Sequence, residues 1–255
     1  MRRDRWCPKA VLAALVVLCA PGLAAAAVGR VEVVEGQAWR TPEGGERLPL
    51  QPGVEVEQKD TLEVEPKSGV KLELNDGSVL MLSAASQLVI TEAEFAGLER
   101  KGFVGYLKLG KVWASVKKAL SGSEAKFEVR TDRAVAGVRG TILRVDVAPP
   151  VITGALSAST VVQVYTGLVR VEARVPPKAG SPRVSSPGEE PGKRVEVAGP
   201  REVSMDEWEK IVLDLQKGEE ITVGERVGKV GTRNPKRDDD TFGKFVKRNQ
   251  GLKKP

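Results

Sequence analysis

From Val28 to about Val197 the apolar and polar positions alternate with a period of two, as they do in strands with one buried and one wet face. Val31 and Val33 alternate with Arg30 and Glu32, Leu62 and Val64 with Glu63 and Glu65, and Val70, Leu72 and Leu74 with Lys71 and Glu73. Phe127 and Val129, Val145 and Val147, and Val169 and Val171 continue the pattern. Turn residues separate the runs at Glu35-Gly36, Pro42 to Gly45, Pro52-Gly53, Pro66 to Gly69, Asn75-Asp76-Gly77 and Thr166-Gly167. No helix-length apolar stripe lies between them, so parallel strands joined by helical crossovers are not expected. The pattern predicts an all-β fold, either a β-sandwich or a short solenoid-like stack of short strands.

Asn75-Asp76-Gly77 is the strongest hairpin signal, because Asn, Asp and Gly tolerate the positive φ of tight turns. Two stretches break the rhythm. Pro149 to Ser159 is small and apolar, and Pro176 to Gly192 holds five Pro, three Gly and three Ser; both read as long excursions between strands. After Gly199-Pro200 the period changes. Ser204 and Glu207 form a capping box, and Trp208, Ile211, Val212 and Leu215 fall on one helical stripe before Gly218. This predicts one amphipathic helix over 204–218, docked on the β-domain. A short strand or two is expected from Glu219 to Val230, then a basic, disordered tail from Gly231 to Pro255.

The ends set the expected compartment. Arg2, Arg3, Arg5 and Lys9 precede an apolar run from Ala10 to Ala20 and small residues up to Ala27, the layout of a secretory signal peptide over 1–27. The run is shorter than the roughly 20 residues of a membrane span. A mature chain without a membrane span, periplasmic or secreted, is therefore expected to begin near Val28. The rival is a lipid anchor at Cys19, against which Leu18 is bulky for the residue before a lipidated cysteine.

Composition narrows the chemistry. The chain has no histidine, and its two cysteines, Cys7 and Cys19, both lie in the predicted leader, so histidine triads, thiol nucleophiles and His/Cys zinc sites are excluded from the mature chain. Any metal site would use oxygen alone. No cofactor and no metal is assigned. Of the net charge of +6, the segment from Lys229 onward supplies nine basic and three acidic residues, and the leader is basic too, so the body between is slightly acidic. That distribution is not that of a nucleic-acid binder; it suggests a basic tail facing an anionic surface or water.

The phrases "GVKLELNDGSVLMLSAASQLVI" (69–90), "LKLGKVWASV" (107–116), "FEVRTDRAVAGVRGTILRVDV" (127–147) and "TVVQVYTGLVRVEA" (160–173), in this order, resemble a FecR-type domain. With "GRVEVVEGQAW" before them and "RVEVAGPREVSM" after, the resemblance spans about 28–205, and the domain reading covers 28–203. It implies an extracytoplasmic all-β domain that works by binding. In the regulator branch of the family that domain lies beyond a membrane helix, follows a cytoplasmic segment that controls a sigma factor, and contacts an outer-membrane transporter. Neither that segment nor that helix is read here, so the expectation is binding rather than direct sigma-factor control.

Within "AVAGVRGT", Gly137, Gly140 and Thr141 read as a turn with a closely approached backbone, and Gly167 marks a second turn. Arg139, a five-donor group between the two glycines, is expected to brace this turn; the alternative is contact with an anionic partner. Asp76 and Gly77 are assigned to the hairpin turn, with cation ligation by Asp76 or by Asp238, Asp239 and Asp240 as the minor reading. Trp39, Tyr106 and Trp113 are the aromatic candidates for a binding surface, against the alternative that they are core. Glu73, Asp76 and Glu128 are carboxylates that an enzyme would need, but no spacing sets two of them as an acid and base pair. The expected function is therefore non-enzymatic: an envelope binding or scaffold protein recognising another protein through a sheet edge or strand face, in signalling. The alternative is a cell-wall glycan binder using exposed aromatics and the basic tail.

Overall fold

A computed structural model describes residues 27–118, 125–149, 158–175 and 209–250. Sheet I runs, in spatial order, β4 (Glu55–Glu57), β1 (Ala27–Glu35), β6 (Gly69–Leu74), β7 (Val79–Leu82), β9 (Glu99–Ser115), β12 (Ile142–Ala148), β13 (Ser159–Thr166), β16 (Glu219–Val223) and β17 (Gly231–Thr232). Sheet II runs β3 (Leu48–Pro49), β2 (Ala38–Thr41), β5 (Thr61–Val64), β8 (Ser86–Ala96), the first half of β9, β10 (Lys126–Arg130), β11 (Ala134–Val138), β14 (Leu168–Val175) and β15 (Glu209–Gln216). Among the described residues only the β9–β10 pair is parallel. The sheets do not close into a barrel.

The two layers share β9. Its first half pairs with β8 and β10, and from Gly110 it pairs with β7 and β12. Gly110 has φ +88° and lies against Ser86, where a Cβ would come within 2.2 Å of the hydroxyl. Only glycine lets the strand bend from one layer to the other there.

The inward residues of both sheets form one core. Leu72, Leu80, Val112, Leu143 and Val162 from sheet I meet Leu62, Leu88, Phe103, Phe127 and Val171 from sheet II. The period-two pattern thus becomes a sandwich, and the solenoid-like alternative is not what these strands build. The expected hairpin forms at Asn75-Asp76-Gly77 between β6 and β7, with Gly77 at φ +73°. The excursion near 149–159 leaves sheet I from the Ala148–Ser159 pair of the β12–β13 hairpin; most of it, and the whole of 176–192, lie outside the described residues.

The position of the helix differs from expectation. Among the described residues there is one α-helix, and it is α1 (Thr241–Asn249), not 204–218. Residues 204–208, including Trp208, lie outside the described residues, and Glu209–Gln216 is strand β15, paired with β14 from Val175–Glu209 to Leu168–Gln216. Ile211, Leu213 and Leu215 turn toward the core while Val212, Asp214 and Gln216 face out. The sequence here satisfies both a helical stripe and a two-residue period, and pairing with β14 decides for the strand. Gly218, at φ +84°, turns β15 into β16 rather than capping a helix.

The expected disordered tail is likewise corrected. After β17 come a 3₁₀ turn, Pro235–Asp239, and then α1. Phe242, Phe245 and Val246 form an apolar stripe that composition hides among many charges. No helix of the described residues is long and apolar enough to cross a membrane.

Candidate functional site

On the outer face of sheet I, strand pairing aligns Lys71, Met81, Trp113, Arg144, Gln163 and Glu220 in one row across six strands. The segment Arg233–Gln250 lies over the middle of this row as a strap. Its centre is Arg144, only 1% exposed. Asp146 on the same strand takes a bidentate pair from it, Nε to Oδ1 at 2.7 Å and Nη2 to Oδ2 at 3.0 Å. From the strap, Asp240 accepts Nη2 at 2.7 Å, the Arg237 carbonyl accepts Nη1 at 2.8 Å, and the ring of Phe242 lies 5.2 Å from the guanidinium carbon. Burial alone would weaken the Arg144 charge, but the hydrogen bonds to Asp146 and Asp240 outweigh it and hold the group more firmly protonated than usual.

Asp240 does three jobs. It takes Lys111 Nζ at 2.6 Å, pairs with Arg144, and accepts the Gly243 N–H at 2.7 Å as the N-cap of α1. Asp238 accepts the Tyr165 hydroxyl and a hydrogen bond from Arg233, whose guanidinium also lies 4.5 Å from the Tyr165 ring centre. Behind these anchors Phe242, Phe245 and Val246 pack on Met81 and Trp113. Two glycines make the room: a Cβ on Gly243 would meet the Asp238 carbonyl at 2.0 Å, and one on Gly69 would meet the Phe245 ring at 2.9 Å. Arg248 and Asn249 reach Glu35 at the far end. Cavities remain on both sides of α1, one of about 220 Å³ beside Gly69, Ser83 and Phe245 and one of about 260 Å³ lined by Trp113, Arg144, Tyr165 and Arg233.

This geometry sets a pH dependence. Burial works to raise the Asp240 pKa, but the hydrogen bonds from Arg144, then Lys111 and the Gly243 N–H, hold it down at about 2. A carboxyl with a depressed folded pKa contributes stability above its unfolded value of about 3.9, and that contribution fades as the pH falls toward 2. Helical circular dichroism and hydrogen exchange of α1 are therefore expected to hold to about pH 4 and to loosen below it. In Asp240→Asn that acid step should be missing; an unchanged step would show that Asp240 does not control it.

The candidate residues read from the sequence do not converge. Trp113 is buried beneath α1, 4% exposed, while Trp39 and Tyr106 lie on the other sheet. Trp39 is half-buried with Arg47 stacked 4.5 Å from its ring and its indole N–H donated to Glu65. An aromatic platform therefore does not form among them. Tyr106 donates its hydroxyl to Asp132. Burial, and then this bond, push its pKa up to about 12, and burial with Asp238 pushes Tyr165 up further. These are the only two tyrosines in the chain. Tyrosinate absorbance should thus be absent from the folded protein between pH ~10 and ~11 and present in denaturant, where both ionise near the ordinary value of about 10. Ionisation near 10 in the folded state would refute both contacts.

Arg139 is exposed in the β11–β12 turn, which it is expected to brace. The buried Thr141 hydroxyl donates toward the Arg139 and Leu168 carbonyls at 3.3 and 3.2 Å, tying this turn to Gly167 in the next. Gly140 (φ +63°) and Gly167 (φ +80°) serve the two turns. Gly137 is an ordinary strand residue, where a Cβ would meet nothing nearer than 3.7 Å. Asp76 holds its turn by accepting the Ser78 N–H and hydroxyl, and it also pairs with Arg100, a second arginine that is 1% exposed.

The carboxylates considered for catalysis each have their own partner. Asp76 is taken by Arg100, and Glu128 lies on sheet II with Arg130 at 2.8 Å. Glu73 lies beside Glu32, and the hydrogen bond between them, with burial, raises the Glu73 pKa. Glu32 in turn holds Lys71 at 2.6 Å. Among the described residues no cluster of three acidic side chains is placed to hold a metal ion.

Sequence reasoning passed over Arg144, Arg100, Lys111 and Tyr165. Arg144 stands between apolar Leu143 and Val145, a position indistinguishable from a solvated strand residue until the strap covers it. The usable signal was Asp240 ahead of Phe242, Phe245 and Val246, a cap followed by a stripe.

A second feature is β15 at the edge of sheet II. Among the described residues it pairs only with β14, and its outward Val212 is 58% exposed. Leu168 on the adjoining strand is also exposed, and Arg170 and Asp214 pair across the two strands at 3.0 Å. Among the described residues the other terminal strands, β3, β4 and β17, are two or three residues long.

Residues 60–170 match the family described as FecR protein. That segment is FecR-like. The matched FecR segment runs from just before β5 into β14, so it contains the strands that present Met81, Trp113, Arg144 and Tyr165 but not β15 or the strap. Two solved structures of a candidate anti-sigma factor from Parabacteroides distasonis ATCC 8503, at 1.65 and 2.50 Å, align with 75% of this chain at 19% identity and a TM-score of 0.43. The alignments cover 65% and 64% of those chains, so this chain spans less than two thirds of their length. No curated protein matches the chain.

Proposed function

We propose that this is a non-enzymatic, exported binding protein of the cell envelope that recognises another protein in a signalling pathway, using the β15 edge of its FecR-bearing sandwich. The observation that carries this reading is the eight-residue edge strand with an outward Val212. Long, unpaired edges are templates for an added strand, and most proteins shorten or cover them. Among the described residues the terminal strands β3, β4 and β17 are short and β15 is long. Added main-chain hydrogen bonds would supply affinity, and Val212 with the Arg170–Asp214 pair would supply side-chain selectivity. The FecR domain agrees with a regulatory role, and the basic and apolar leader agrees with export.

A photo-crosslinking residue at Val212 tests the edge in intact cells, with exposed Leu98 in the β8–β9 turn as the control site. The expected result is one envelope protein crosslinked from position 212 and not from 98. No adduct at 212, or the same adducts at both sites, would sink the edge. Mass spectrometry of the exported chain should find its first residue within Ala25 to Gly29; an acylated Cys19 would overturn that assignment.

A further inference from the structure

The strap sits on sheet I in the manner of a bound peptide. Its receptor surface, Met81, Lys111, Trp113, Arg144 and Tyr165, lies wholly inside the segment that matches the FecR family, while the strap comes from outside it. The contact is anchored at points. Asp238 and Asp240 engage Tyr165, Lys111 and Arg144, and one short apolar stripe follows on Met81 and Trp113. Open clefts of about 220 and 260 Å³ flank α1. The two-residue strand β17 is the last sheet pairing before it.

We propose that the outer face of sheet I is a docking surface for a partner protein's segment of the same chemistry: two carboxylates two positions apart, leading into a short helix with an aromatic stripe. Residues 233–250 are its tethered, displaceable occupant. The buried Arg144 supplies the selectivity, because a segment lacking the carboxylates would leave its guanidinium covered and unpaired. A tethered segment competes at an effective concentration in the millimolar range, so the face stays closed to weak ligands. A partner's apparent affinity is its intrinsic affinity reduced by the fraction of open face. This inference is independent of the β15 edge, which lies on the other sheet.

The test uses the full exported chain and a fluorescent peptide of residues 233–250, read by anisotropy. Asp240→Asn in the chain weakens its own strap and leaves the face intact, so the peptide should bind at least about tenfold more tightly than to the wild type. Adding Lys111→Met to that chain, or Asp240→Asn to the peptide, should remove the gain. Lys111 is half-exposed, so its variant is expected to fold. Hydrogen exchange reports whether α1 has opened, and Phe245→Ala joined to Asp240→Asn loosens it further. The proposal fails if α1 stays protected in both strap variants. It also fails if α1 opens but no peptide binds, or if the altered peptide and the Lys111→Met chain bind as well as their parents.

Discussion

Arg144→Met is expected to lower stability by about 3 to 5 kcal/mol, the range for removing one partner of a buried ion pair. Methionine fills much of the same volume, so the loss is electrostatic: Asp146 beneath the strap and Asp240 on it both lose the Arg144 cation, and the Arg237 carbonyl loses its donor. Asp240 would then have only Lys111 and the helix cap, and it should titrate higher. The strap should loosen first, because two of its anchors converge on this side chain. Urea denaturation measures the size of the effect, and hydrogen exchange should place the earliest loss in α1. Joining Asp146→Leu to Arg144→Met removes a stranded charge and should recover part of the stability, which separates electrostatics from packing. A midpoint equal to that of the wild type would mean that water reaches the network.

Phe127→Ala carries the other large effect, about 3 to 5 kcal/mol, as expected for truncating a core phenylalanine. Its ring is stacked on Phe103 at 4.8 Å and lies 5.1 Å from the Arg100 guanidinium, joining the apolar centre of the sandwich to its charged end. Truncation opens a cavity and strips the aromatic face from a buried cation that otherwise depends on Asp76, Ser78 and the Lys117 carbonyl. Phe127→Leu fills most of the space but offers no ring face, and it should recover the packing share alone. In an Arg100→Met background the loss for Phe127→Ala should shrink by up to about 2 kcal/mol, the cation–π share. Equal losses in both backgrounds would show that the ring serves packing only.

The parts of this protein legible in its sequence are those set by local periodicity. Alternation of Val70, Leu72 and Leu74 with Lys71 and Glu73 determines which face of β6 is buried wherever the strand lands in the sheet, because successive side chains point to opposite faces. The hairpin at Asp76-Gly77 follows from φ preferences of single residues, and the FecR resemblance from phrases that lie along those strands. Periodicity cannot say what covers the outer face of a strand. Trp113 and Arg144 stand at positions that read as wet, and they are buried because a segment from the far end of the chain folds over their row. The same dependence on partners decided Glu209–Gln216, where helix and strand patterns coexist and the open side of β14 selects the strand. It also decided Arg139, which the sequence singled out and the fold leaves exposed, while Arg144, five positions on, became the buried centre. Local pattern determines which way a side chain points; burial of charge depends on contacts between residues nearly a hundred positions apart, such as Arg144 and Asp240, and only the assembled sheets bring those together.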